Sequence, residues 1–176
     1  PICSNLARFD GIRYGYRAEG TETLEELYRK TRAEGFGEEV KRRILLGTFV
    51  LSAGHYDQYY IRAQKLRSRL EADMLKTFED YDLIIGPTTT SAAYDIGEKI
   101  DDKLRMYKDD ILTIPANLTG MPSISIPCGL NEKKRPIGLQ IIGNHFEESK
   151  VYNAAYKFEE KYNLHEELKQ VQKELR

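Results

Sequence analysis

The sequence predicts an α/β fold with several helices and few strands. An uncharged run, Leu83-Ile84-Ile85, ends at Gly-Pro directly after a long amphipathic helical pattern. Residues 123–129 and 136–143 alternate apolar with polar or small residues on either side of a basic connector, which is typical of paired strands. A strand that directly follows a long helix is typical of α/β proteins.

Three helices are predicted before the first strand. The first follows Thr21 or Thr23, either of which can cap it, and ends at Gly35. The second begins at Gly37-Glu38 and continues to about Ser52. It is apolar nearly all round beyond its first turns, so we expect it to be buried. The third covers about 56–81 and has one apolar face.

The remaining elements follow the first strand. The continuous apolar run 83–85 is typical of a strand buried on both faces. Residues 89–104 are predicted as loop, and 106–118 as a helix that Pro115 must interrupt or kink. A last amphipathic helix contains Val151 and Tyr162. Three strands make a thin sheet for so many helices, so we expect missing partners upstream.

Composition excludes several classes of protein. The 176 residues contain 27 Lys plus Arg and 28 Asp plus Glu, so net charge gives no general attraction to polyanions. Cys3 and Cys128 form neither a disulfide framework nor a ligand-spaced pair, which suits a reducing, cytoplasmic location. No apolar run approaches the roughly 18–20 residues that a membrane span needs.

Few motifs indicate chemistry. The histidines lie far apart in the sequence, so we predict no metal site. There is no P-loop, no G-x-G-x-x-G and no G-x-S-x-G. No serine lies in a glycine-rich turn that would expose a nucleophile, so we predict no catalytic residue in this chain.

The first candidate binding residue is Arg43, in the stretch VKRRILLGTFVLSAG. Arg42 follows Glu38 by four residues and Arg43 follows Glu39 by four, so both arginines could simply form surface ion pairs. Gly47, one turn after Arg43, would leave room for another group. A guanidinium in such a half-buried slot suits a carboxylate, which it can bind bidentately.

The second candidate is an acid in DDILTIP. Asp109 or Asp110 could simply cap or solvate the start of a helix. A buried aspartate would instead suit an ammonium group. An arginine and an aspartate facing one slot could hold both ends of a free amino acid, although the spacing does not show that they meet.

Five ordered motifs resemble the C-terminal part of amidase-signature enzymes. They are SNLARFDGIRYG, GFGEEVKRRILLGTFVLSAG, YDLIIGPTT, LTIPANLTGMPSISIPCG and PIGLQIIG. The second motif and its tyrosine-rich sequel resemble most closely the glutamine-hydrolysing subunits of tRNA-dependent amidotransferases. The resemblance implies the C-terminal portion of the amidase-signature fold, a mixed sheet flanked by several helices. Residues 1–176 would form a single unit, a fragment of a larger amidase domain whose catalytic N-terminal half is absent.

The resemblance also implies a function. The parent enzyme would hydrolyse glutamine with a Lys and two Ser residues, and no residue of this chain corresponds to any of them. It would pass the ammonia to a B-type subunit. There ATP and Mg would activate Glu-tRNA(Gln), or Asp-tRNA(Asn), for amidation, while a C-type subunit would brace the other two. Arg43 matches the family residue that holds the glutamine carboxylate, and Asp110 matches the one that holds its amino group. The chain itself would need no cofactor and would be inactive alone.

Two departures from the family pattern and two alternatives remain. Small residues are usual where Ile2-Cys3 stand, and a proline is usual where Thr90-Ser91 follow GPTT. Both suggest altered loop packing near the site.

The chain could instead belong to a small-molecule amidase of the same superfamily, or act as a non-catalytic binding or scaffold domain.

Overall fold

The computed structural model describes residues 2–95, 103–162 and 164–174, which divide into two compact units. The first unit is Pro1–Lys65 and the second is Leu66–Arg176. The expectation of a single unit over 1–176 stays a prediction. Within the described ranges, no helix combines the length and the apolar character that crossing a membrane requires.

The first unit is helical. It contains α1 (Ile2–Leu6), α2 (Leu24–Gly35), α3 (Glu38–Leu51) and a π-helical segment, Tyr56–Ile61, that continues directly into α4 (Arg62–Asp80). The two predicted helices α2 and α3 are confirmed. The cap of α2 is Thr23, whose hydroxyl oxygen accepts the backbone N–H of Glu26 at 3.2 Å.

The predicted burial of α3 is wrong for this chain. None of its residues is buried, and the Leu45 side chain is 70% exposed. Within the described residues, the elements with the most extensive packing on α3 are the five-residue α1 and the six-residue π-helical segment. A helix that is apolar nearly all round needs neighbours on every side, and two short elements leave most of its surface uncovered.

The predicted long helix exists, but its first turns are not α-helical. Residues Tyr56–Ile61 form a π-helix, and Gly54, with a φ of 86°, lies in the turn that separates it from α3. The Tyr56 and Tyr60 rings stack with their centroids 4.9 Å apart. Aromatic packing therefore accompanies the wider helical turn.

A three-stranded sheet forms the centre of the second unit. The strands are β1 (Leu83–Pro87), β2 (Ser123–Leu130) and β3 (Pro136–Gly143), in the order β1-β3-β2. The predicted pairing of β2 with β3 is confirmed. The expected sheet was mixed, whereas the three strands that the structure describes pair only antiparallel. The α/β fold class is confirmed.

The prediction that β1 is buried on both faces is wrong. This strand lies at an edge of the sheet, and the Ile85 side chain is 60% exposed. The position also explains how Pro87 fits in a strand, because an edge strand does not need every N–H for the ladder. An uncharged run alone did not distinguish an edge strand from a central one.

Besides α4, most of which belongs to the second unit, the described part of this unit contains four helices. They are α5 (Lys103–Asp110), α6 (Ile114–Thr119), α7 (Glu148–Tyr162) and α8 (His165–Glu174). The predicted interruption at Pro115 is confirmed, since this residue lies in the first turn of α6. Of the predicted loop, residues 96–102 lie outside the described residues, 89–95 form neither helix nor strand, and 103–104 belong to α5.

The core lies on both faces of the sheet. On one face, Ile126 and Ile141 pack with Val151 and Ala155 of α7. On the other, Ile142 packs with residues of α4 and α6. Consecutive residues of a strand point to opposite faces, so Ile141 and Ile142 divide the core between the two layers.

Candidate functional site

Arg43 lies in the second turn of α3, and its guanidinium is held from within the same helix. Its Nε donates to Glu39 Oε1 at 2.9 Å, and its side chain is 40% exposed. This is the ion pair that the alternative interpretation of Arg43, as a surface residue, predicts, and it is present. The ion pair orients the guanidinium while leaving much of the side chain accessible to a ligand.

Arg42 makes a different pair from the one predicted. It bonds to Glu39 Oε2, three residues earlier, whereas Glu38 Oε1 receives the ammonium of Lys41 at 3.0 Å. The prediction of a pair between Arg42 and Glu38 is therefore wrong. Helical spacing permits both three- and four-residue steps, and Lys41 competes for the same carboxylate.

Glu39 is consequently bound by two guanidinium groups. The hydrogen bond from Arg43 is the largest cause that lowers the pKa of this carboxyl, and the charges of both arginines add to it. The carboxylate form is therefore favoured, and the pair with Arg43 persists through neutral pH.

The room beside Gly47 exists, and a thiol fills it. A Cβ added to Gly47 would lie only 2.5 Å from Cys3 Sγ. The thiol donates to the carbonyl oxygen of Ile44 at 3.0 Å and lies 3.8 Å from Thr48 Oγ1. Cys3 thus packs directly on the helix of Arg43.

Asp109 and Asp110 end a helix; the prediction that they cap or solvate a helix start is wrong. They are the last two residues of α5, and Thr113 is the residue that precedes α6. Asp110 is exposed. Its backbone carbonyl accepts both the N–H and the hydroxyl of Thr113, at 3.1 Å and 3.0 Å.

Arg43 and Asp110 lie in different units, and their convergence on one ligand stays a prediction. What each can do separately follows from its chemistry. An oriented, partly exposed guanidinium can bind a carboxylate, and an exposed carboxylate can bind an ammonium group.

Two serines of the described residues have local hydrogen bonds. Ser52 Oγ donates to the Phe49 carbonyl at 2.7 Å, and Ser125 Oγ lies 2.6 Å from Thr88 Oγ1. These bonds are typical of structural hydroxyls. Within 2–95, 103–162 and 164–174, no three His, Cys, Asp or Glu side chains form a group that could hold a metal ion.

Asp109 makes contacts that the sequence did not predict. Its Oδ1 accepts the hydroxyls of Thr90 at 2.7 Å and Ser91 at 3.3 Å. The available signal was the pair of adjacent hydroxyl residues, Thr90-Ser91. The acceptor lies 18 and 19 residues further along the chain, where hydrophobic periodicity does not indicate it.

Comparisons with known proteins agree with these motifs. A sequence model of the amidase family matches residues 2–152, which include both Arg43 and Asp110. The A-type subunit of glutamyl-tRNA(Gln) amidotransferase from Macrococcus caseolyticus is 61% identical over 93% of this chain and 34% of its own length. The chain thus spans about a third of the length of the curated relatives it matches.

Solved structures give the same result. The crystal structure of the same subunit from Thermotoga maritima is 40% identical, with a TM-score of 0.54 over 86% of this chain and 31% of that chain. A bacterial aryl acylamidase of the amidase-signature family shares the fold at 23% identity, with a TM-score of 0.63 over 92% of this chain and 32% of its own. The chain belongs to the amidase family.

Proposed function

We propose that this chain is the substrate-recognition part of a glutamine-hydrolysing amidotransferase subunit. Arg43 binds the α-carboxylate of glutamine, and Asp110 binds its α-amino group. The observation that carries the proposal is the 61% identity to an A-type subunit of glutamyl-tRNA(Gln) amidotransferase over 93% of the chain. The oriented guanidinium of Arg43 supports the first role. Asp110 is exposed and not buried, so its role rests on the identity to the A-type subunit.

The remaining steps belong to other parts of the assembly. The lysine and the two serines that cleave the amide lie outside these residues, so the chain alone is inactive. The partners are the B-type and C-type subunits of the amidotransferase. Ammonia passes to the B-type subunit, where ATP and Mg activate the glutamyl group of misacylated tRNA(Gln), or the aspartyl group of misacylated tRNA(Asn). The assembly acts in the cytoplasm.

The experiment compares two neighbouring arginines in the full-length natural protein, purified with its partner subunits. Arg42 and Arg43 both bind Glu39 and have nearly equal side-chain exposure, 37% and 40%. Arg42→Ala is therefore a matched control for helix stability. Arg43→Ala should lower kcat/KM for glutamine by roughly 10- to 150-fold, the loss expected for a charge-assisted hydrogen-bond pair.

Two further variants test the chemistry of each residue. Arg43→Lys keeps the charge but loses the planar fork, so it should recover only part of the activity. Asp110→Asn should raise KM for glutamine, since the amide no longer carries the charge that binds an ammonium group. Equal effects of Arg42→Ala and Arg43→Ala would contradict the proposal.

The alternatives predict other substrates. A small-molecule amidase would cleave aryl or fatty amides and would be indifferent to both Arg43→Ala and Asp110→Asn. A scaffold domain would leave the full-length protein without glutamine hydrolysis altogether. Ammonia release measured with glutamine and with an aryl amide therefore separates the three.

A further inference from the structure

Asp109 connects the end of α5 to a segment 18 residues earlier in the chain. A single oxygen, Oδ1, accepts the hydroxyls of Thr90 at 2.7 Å and Ser91 at 3.3 Å. A third bond, from Thr89 Oγ1 to the Ser91 carbonyl at 2.6 Å, holds the turn that presents these hydroxyls. The contact joins the segment after β1 to the residue that precedes Asp110.

Nothing in helix formation favours an aspartate here. The C-terminal end of a helix carries partial negative charge, so two consecutive carboxylates at the end of α5 are electrostatically unfavourable. Within the described part of the chain, Asp109 Oδ2 is buried and has no hydrogen-bond partner. A buried acceptor without a hydrogen-bond partner costs free energy. The two hydroxyl bonds to the other oxygen, Oδ1, offset part of this cost and of the unfavourable charge at the helix end.

The backbone of Asp110 is thus held from both sides. Asp109 precedes it and is tied to the segment after β1. Thr113 follows it and donates both its N–H and its hydroxyl to the Asp110 carbonyl, at 3.1 Å and 3.0 Å. The Asp110 side chain itself remains exposed.

We propose that Asp109 is a positioning residue for recognition of the substrate's amino group. Its contacts with Thr90 and Ser91 fix the last turn of α5, and so fix where Asp110 presents its carboxylate. This inference rests on the proposed function. The hydroxyls of Thr90 and Ser91 supply the bonds that hold this turn against α5.

The test uses the full-length natural protein with its partner subunits. The double variant Thr90→Val/Ser91→Ala removes both hydroxyls and keeps the acid. It should raise KM for glutamine by about 2- to 12-fold, which corresponds to the loss of an ordinary hydrogen bond. The value of kcat should stay within about twofold, because the reacting amide is not touched.

Asp109 is then varied in two ways. Asp109→Ala should raise KM for glutamine at least as much as the double variant. Asp109→Asn should bring KM most of the way back to that of the unaltered protein, because its amide oxygen can accept hydrogen bonds from the same two hydroxyls. Amidation of tRNA supplied with ammonium chloride in place of glutamine should be unchanged in all these variants, which verifies their folding.

Matched controls lie on α4. Thr77→Val removes a hydroxyl that donates to the Asp73 carbonyl at 3.0 Å, and Asp73→Asn removes an exposed carboxylate 3.9 Å from Arg69. Both should leave KM for glutamine unchanged.

Three outcomes would overturn the inference. An unchanged KM in both the double variant and Asp109→Ala would show that the contacts position nothing. A loss in Asp109→Asn equal to that in Asp109→Ala would assign the effect to charge and direct contact. If the unaltered protein releases no ammonia from glutamine, the proposed function fails and this inference fails with it.

Discussion

Replacing Gly47 with alanine tests the packing beside Arg43 directly. Alanine favours a helix over glycine by about 1 kcal/mol, so propensity alone predicts stabilisation of α3. The new Cβ would meet Cys3 Sγ at 2.5 Å, far inside the contact distance. Overpacking of this kind costs about 1–3 kcal/mol. Gly47→Ala should therefore change the stability of α3 by between zero and about 2 kcal/mol, in the unfavourable direction.

Removing the thiol should reverse the sign. With Cys3→Ala, the nearest remaining neighbour in the same contact is the Cβ of residue 3, at 4.0 Å, an ordinary van der Waals distance. In that background Gly47→Ala should stabilise α3 by about 1 kcal/mol. The double-mutant cycle should thus give a coupling energy of about 1–3 kcal/mol between the two positions.

Amide hydrogen exchange of peptides from α3, read by mass spectrometry, measures this local stability. Leu45→Ala is the control, because that side chain is 70% exposed on the same helix and its loss should matter little. Equal stabilisation by Gly47→Ala with and without the thiol would refute the reasoning.

Three further predictions concern stability. Hydrogen bonds from the backbone N–H groups of Arg13 and Ile12, and from the Arg13 guanidinium, lower the pKa of Asp10 to about 2. The stability that Asp10 contributes is therefore present above about pH 4 and is lost as the pH falls through about 2. Unfolding measured against pH should show the stability of Asp10→Asn converging with that of the unaltered protein between about pH 4 and 2. Ile141→Ala should cost about 2–5 kcal/mol in urea unfolding, whereas Ile85→Ala, its exposed cross-strand neighbour, should cost under about 1 kcal/mol. Gly138→Ala should destabilise the sheet by about 1–3 kcal/mol in the same assay, because its Cβ would lie 2.7 Å from Thr88 Oγ1, and no change would contradict this packing.

Local patterns predicted much of the fold because their causes are local. The Thr23 cap, the β2–β3 pairing and the interruption at Pro115 depend on nearby residues, and all are confirmed. Burial depends on what packs against an element, which periodicity does not contain. The exposed α3 and the edge position of β1 are therefore two of the points at which the predictions were wrong.

For the candidate site too, contacts between residues close in the sequence were predictable, and contacts between distant residues were not. The pair of Arg43 with Glu39 follows from helical spacing, and the structure confirms it. The partner of Arg42 depended on which neighbour competes for Glu38, which spacing leaves open. The contacts of Asp109 and Cys3 join residues distant in the sequence, so only the folded chain reveals them.

The central claim is that Arg43 binds the α-carboxylate of glutamine. A substrate that lacks this charge tests it most directly. The full-length natural protein with its partner subunits is given glutamine or glutamine α-amide, in which a carboxamide replaces that carboxylate, and kcat/KM is measured for side-chain hydrolysis. The unaltered protein should prefer glutamine by roughly 10- to 150-fold, Arg42→Ala should keep this preference, and Arg43→Ala should reduce it to within about threefold. An undiminished preference in Arg43→Ala would contradict the assignment.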